Sequence, residues 1–108
     1  IRARKHIDKD GWKHYEIYGP LFFGSTTVFS EKFDVSGDPN HIVIDFKESR
    51  ISDMSAIEAV SKVTALYAGV GKKVHLRHLS KDCRTLLDRA DAIIEINHFE
   101  DPTYKVVS

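Results

Sequence analysis

The chain has 108 residues, 42% hydrophobic and 30% charged, the size and balance of one globular domain. Sixteen basic residues offset sixteen acidic ones, which removes the overall positive field that draws a protein to nucleic acid. The single cysteine, Cys83, excludes an internal disulfide and a thiolate zinc site and fits a reducing compartment; no run approaches the ~18 apolar residues that span a bilayer, and the first residues lack a signal peptide's apolar stretch.

Arg2 to Asp8 meets Asp10-Gly11, a dipeptide that accepts the positive φ of a tight turn, and Trp12 to Tyr18 follows, so the chain opens on a predicted β-hairpin. Tyr15 and Ile17 share one face of its second strand. That strand is expected to stop at Gly19-Pro20, where proline cannot donate to a ladder, and Leu21-Phe22-Phe23 reads as a separate short strand. Ser25 can cap a helix running to about Phe33, with Val28, Phe29, Lys32 and Phe33 recurring at helical spacing. Ser36-Gly37-Asp38-Pro39-Asn40 is a dense turn signal. Ile42 to Phe46 then reads as a strand buried on both faces, which implies a parallel neighbour.

From Ser55 to Ala68, Ile57, Val60, Val63 and Tyr67 form a helical stripe, with Glu58 and Lys62 on the wet side and Gly69 to Gly71 ending the helix. Val74 to His78 is the next expected strand, Ser80 to Ala90 the next helix, with Cys83 inward as a small hydrophobe, and Ile93 to Ile96 the last strand. This alternation predicts an α/β fold: a mixed, mostly parallel sheet flanked by helices, one domain over 1–108 without repeats or linkers.

Chemistry is expected where Ser49-Arg50-Ile51-Ser52-Asp53-Met54-Ser55 leaves the central strand and enters the second helix, because open α/β sheets bind ligands at the carboxyl ends of their strands. The candidates are Ser52, Asp53, Met54, Ser55 and Ala56. A helix start offers unpaired N–H groups and about half a positive charge, which favours a bound anion or a phosphate on Ser55. The alternative is a capping box of Ser55 and Glu58, which needs only a stable helix start. Trp12, Tyr18, Phe22 and Phe23 serve either as core or as a docking patch, with Phe22 and Phe23 its candidates.

No metal, cofactor or catalytic centre is expected. His75 and His78 would point to opposite faces of a strand unless it ended between them, and His6 and His14 read as surface histidines facing each other across the hairpin. Asp45 and Asp53 have no histidine, lysine or further carboxylate placed by sequence to complete a reaction site. Gly69 and Gly71 belong to no phosphate loop.

Val43-Ile44-Asp45-Phe46, followed by Ile51-Ser52-Asp53-Met54-Ser55-Ala56-Ile57, resembles the strand, loop and helix of STAS domains, named for sulfate transporters and anti-sigma-factor antagonists. Gly19-Pro20-Leu21-Phe22-Phe23-Gly24 resembles a segment of the transporter branch (sulfate permease, SulP), and the resemblance covers about residues 12–97. It implies a noncatalytic regulatory domain at the cytoplasmic side of the membrane, part of an inorganic anion transporter and supporting its activity or assembly. The partners it implies are the transporter's own membrane domain and a cytoplasmic regulatory protein; nucleotide binding is compatible with it, and nucleic acid is not implied.

In the antagonists the corresponding turn carries a serine phosphorylated by a partner kinase, and Ser55 falls on that position. The other reading is therefore a free-standing antagonist switched at Ser55. Two departures stand against close approach by a kinase: Met54 replaces a small polar residue and Ala56 replaces the usual glycine. Arg2-Ala3-Arg4-Lys5 fits a chain leaving a membrane helix on its cytoplasmic side, and equally a basic strand edge that discourages aggregation.

Overall fold

The first turn is built by Asp8. Its N–H donates to the Trp12 carbonyl at 2.9 Å, its carboxylate accepts from the Asp10 and Trp12 amides at 2.8 and 3.1 Å, and Gly11 supplies the left-handed φ of +84° that the reversal requires. In the computed structural model, which describes residues 1–79 and the strand at 98–99, this turn joins β1 (Arg2–Ile7) to β2 (Lys13–Leu21). A 3₁₀ turn at Phe23–Ser25 leads into α1 (Thr26–Ser30), followed by β3 (His41–Ile51), α2 (Met54–Ala68), β4 (Lys73–Arg77) and β5 (His98–Phe99). The sheet order is β1-β2-β3-β4-β5; β1 is antiparallel to β2 and every later neighbour is parallel. The helix expected over Ser80 to Ala90, with Cys83, and the strand at Ile93 to Ile96 lie outside the described residues.

Tyr15, Ile17, Ile42, Ile44, Phe46, Val74 and Leu76 turn one sheet face into a core, and α1 and α2 cover it through Phe29 and the stripe of Ile57, Val60, Val63 and Tyr67. Each stripe residue is at most 1% exposed, and burial of such a side chain stabilises by about 1.5–3 kcal/mol. Val43 is also fully buried but belongs to the opposite face, between His14 and His75 in register, so β3 is covered on both sides there as expected.

Three boundaries differ from the sequence reading. Strand β2 does not stop at Gly19-Pro20 but pairs on through Gly19↔Ser49, Pro20↔Arg50 and Leu21↔Ile51, so Leu21-Phe22-Phe23 is not a separate strand. Pairing with β1 ends at Tyr18, so Pro20 sits where that side of the strand is open, the setting that tolerates a missing N–H. Strand β3 is correspondingly longer than Ile42 to Phe46, its far half disguised by the exposed Lys47, Glu48 and Arg50. The first helix ends at Ser30 rather than near Phe33, since Thr26, Thr27 and Val28 are β-branched and favour helix weakly, and Phe33 leaves it to pack with ring centroids 4.5 Å from Tyr15. Ser25 does not cap it: its hydroxyl donates to the Pro20 carbonyl at 3.0 Å and accepts from the Phe22 N–H.

The loop before β3 is locked by Asp38, which is 5% exposed. Its carboxylate accepts from Lys13 Nζ at 2.7 Å and from the hydroxyls of Tyr15 and Tyr67, each at 2.5 Å, while Lys72 Nζ donates to the carbonyls of Val35, Ser36 and Asp38. Burial alone would raise the Asp38 carboxyl, but bonds from Lys13, Tyr15 and Tyr67 outweigh it and hold the group below the usual carboxylate range. Burial, reinforced by Asp38, pushes both tyrosines up, and the bond to Asp38 raises Lys13.

Candidate functional site

Strand β3 ends at Ile51, and only Ser52 and Asp53 separate it from α2, so the expected seven-residue turn is short. The Ser52 N–H donates to the Leu21 carbonyl at 3.0 Å, which ties this loop to the end of β2. Asp53 is the helix cap, correcting the capping box of Ser55 and Glu58: Oδ1 accepts from the Ala56 N–H at 2.9 Å. Its other oxygen accepts from the Phe23 N–H at 3.2 Å, so one carboxylate holds the 3₁₀ turn against the start of α2.

Of the five candidate residues, Ser52 and Ser55 are exposed, Asp53 and Met54 are half-buried with Met54 packed on the core, and Ala56 is buried. Ser55 is the second residue of α2 and lines a groove of about 530 Å³ between the two helices, with Phe23, Thr26, Glu31, Glu58 and Lys62. Phe23 is 72% exposed and meets Phe22 edge-on at 5.6 Å. No base is hydrogen-bonded to Ser55 among the described residues, so the groove offers a hydroxyl, an aromatic ring and charges of both signs rather than an activated nucleophile. The Asp53 carboxylate also places negative charge at the helix start, which works against a bound anion.

The polar face of the sheet holds what the sequence reading missed. Trp12 is not part of the Phe22–Phe23 cluster; its ring lies flat on His41 and His75, with centroids at 4.6 and 4.4 Å, and His41 Nδ1 lies 3.0 Å from His75 Nε2, within hydrogen-bond distance. His6 stacks on His14 at 4.5 Å, and His14 bonds Asp8 at 2.7 Å. Strand β4 ends at Arg77, and His78, at φ +60°, reaches Asp45 at 2.6 Å beside a cavity of about 310 Å³. Only the register Asp45↔Arg77 brings that pair together, which no spacing in the sequence encodes. Among the described residues no group of three His, Cys, Asp or Glu could hold a metal ion, and no helix is long and apolar enough to cross a membrane.

No family model matches the chain. It is 28% identical over 87 residues to the "Putative sulfate transporter YbaR" of Bacillus subtilis (strain 168), a match that covers 81% of this chain and 18% of that protein's length. A crystal structure of an antisigma-factor antagonist STAS domain from Rhodobacter sphaeroides superposes with a TM-score of 0.64 at 26% identity, covering 69% of this chain and 83% of the other. A sulfate transporter family protein from Wolinella succinogenes gives a TM-score of 0.67 at 23% identity over 90% and 82% of the two chains. The sheet and its two helices are therefore those of the STAS α/β fold. Within that class the chain resembles both SulP transporter STAS domains and anti-sigma-factor antagonists.

Proposed function

We propose that the chain is a noncatalytic regulatory domain of a sulfate-permease-type anion transporter, docking at the cytoplasmic membrane face through the groove between α1 and α2. The observation that carries this reading is the pairing of exposed Phe23 with exposed Ser55 on a surface braced by Asp53. An aromatic ring held in place but left in water is what a protein partner can bury. The likeness to the Bacillus transporter supports the transporter branch.

The test is transport by the full reading frame that encodes the chain, expressed in cells lacking their own sulfate uptake. Phe23→Asp is expected to lower uptake about tenfold by removing an interface anchor, with protein levels unchanged. Wild-type uptake by this variant would refute docking through the groove. The second reading, a free-standing antagonist, is favoured by the Rhodobacter likeness and the exposure of Ser55. It requires a reading frame without membrane spans and phosphate incorporation that Ser55→Ala abolishes.

A further inference from the structure

Strand β1 is an edge strand with unsatisfied charge. It pairs with β2 in unbroken register from Arg2↔Tyr18 to Ile7↔Lys13, and among the described residues no strand lies on its outer side. Five of its six residues are exposed, including Ile7 at 58%. Among the described residues no ion pair engages Arg2, Arg4 or Lys5. Arg2 and Arg4 share the polar face with His6, opposite Tyr18, Glu16 and His14 on β2, and with Ala3 and Tyr18 they line a cavity of about 330 Å³. Lys5 lies on the other face, 5.4 Å from the Tyr15 ring centroid.

From this we infer that β1 is a docking edge for an acidic, extended peptide segment, which adds as a further strand and seats a carboxylate between Arg2 and Arg4. Three facts select this occupant. The regular, unbulged edge presents a row of backbone groups at the spacing an added strand needs. A second copy pairing antiparallel, edge to edge, sets Arg4 opposite Arg2, Arg4 or His6 in its central registers, and like charges directly opposite destabilise a ladder. A partner with a carboxylate at every second residue instead meets, on the polar face, two guanidinium groups able to bind in bidentate fashion. This surface is separate from the α1–α2 groove and does not depend on the transporter reading.

The probe is an acetylated, amidated peptide of four Glu-Val repeats, added to the ¹⁵N-labelled 108-residue chain and followed by amide NMR shifts and hydrogen exchange. The expected result is shifts and slowed exchange at residues 2–7, with affinity about tenfold lower in Arg2→Glu/Arg4→Glu and in Arg2→Gln/Arg4→Gln, whose substitutions are exposed. Four Glu-Pro-Pro repeats carry the same charge but place proline on both edges of an extended chain, so that neither edge presents successive amides, and they are expected not to bind. Equal binding of the proline peptide, undiminished binding by both variants, or shifts elsewhere would overturn the proposal. So would vesicles of phosphatidylcholine and phosphatidylglycerol that shift residues 2–7 when the Glu-Val peptide does not, since the edge would then face lipid.

Discussion

At the amino end of β3 one aspartate disappears into the protein, and just past its carboxyl end another stays near water. Asp38 is 5% exposed and accepts from the side chains of Lys13, Tyr15 and Tyr67, which belong to β2 and the far end of α2. Asp53 is half-buried and accepts only from backbone, the amides of Ala56 and Phe23. Partners drawn from distant elements make the first a lock on the whole domain. Partners within one loop cluster make the second a brace that shapes a surface without burying it. Both ends of α2 are thus fixed by carboxylates, and only one of them leaves room for a partner.

If that contrast holds, Asp38→Asn should be the most damaging of these changes. It removes the charge that Lys13 and two phenols were arranged around, and breaking a largely buried pair of this kind costs about 3 kcal/mol, measurable as a lower urea midpoint at unchanged slope. The same network sets the pH window. Asp38 is held below its usual value, so its contribution is complete above about pH 4 and lost as pH falls through the folded-state value. Tyr15, Tyr67 and Lys13 are raised, so theirs is complete below about pH 10 and lost as pH rises beyond it. Thermal melts should show a plateau between these limits, and Asp38→Asn should flatten the acid side.

At the other end the effects shrink. Asp53→Ala removes a helix cap and should cost about 1 kcal/mol, with faster amide exchange at Phe23 and Ala56 and little change elsewhere. Ser55→Asp puts a negative charge in the first turn of α2 and should stabilise by about 0.3–1 kcal/mol, a readout of the helix field that a phosphate on Ser55 would feel. Phe23→Asp, at a residue 72% exposed, should move stability by no more than about 0.5 kcal/mol in chemical denaturation. A large loss there would mean that the ring is core, and the contrast between the two ends would fail.

Much of this was written in local pattern. The α2 stripe, the Asp10-Gly11 turn and the buried run of Ile42, Val43 and Ile44 each follow from periodicity or turn chemistry, and all three appear in the fold. What stayed hidden depends on pairing between distant segments. Pro20 within a strand becomes legible only once β1 is seen to end opposite Tyr18, and the far half of β3 reads as loop because its Lys47, Glu48 and Arg50 face water. At the site, Ser55 could be placed near the helix start from its spacing, yet the cap fell to Asp53 because the Phe23 amide is brought alongside by the β2–β3 register. Asp38 gave no signal beyond a turn; a carboxylate between Gly37 and Pro39 reads as surface until Tyr15 and Tyr67 close over it.

Amide hydrogen exchange of the 108-residue chain, alone and within the full-length product of the reading frame that encodes it, tests the docking surface most directly. The account predicts slower exchange in the full-length protein at residues 22–31 and 52–62, the two walls of the groove around Phe23 and Ser55. Identical exchange along both walls in the two samples would contradict it.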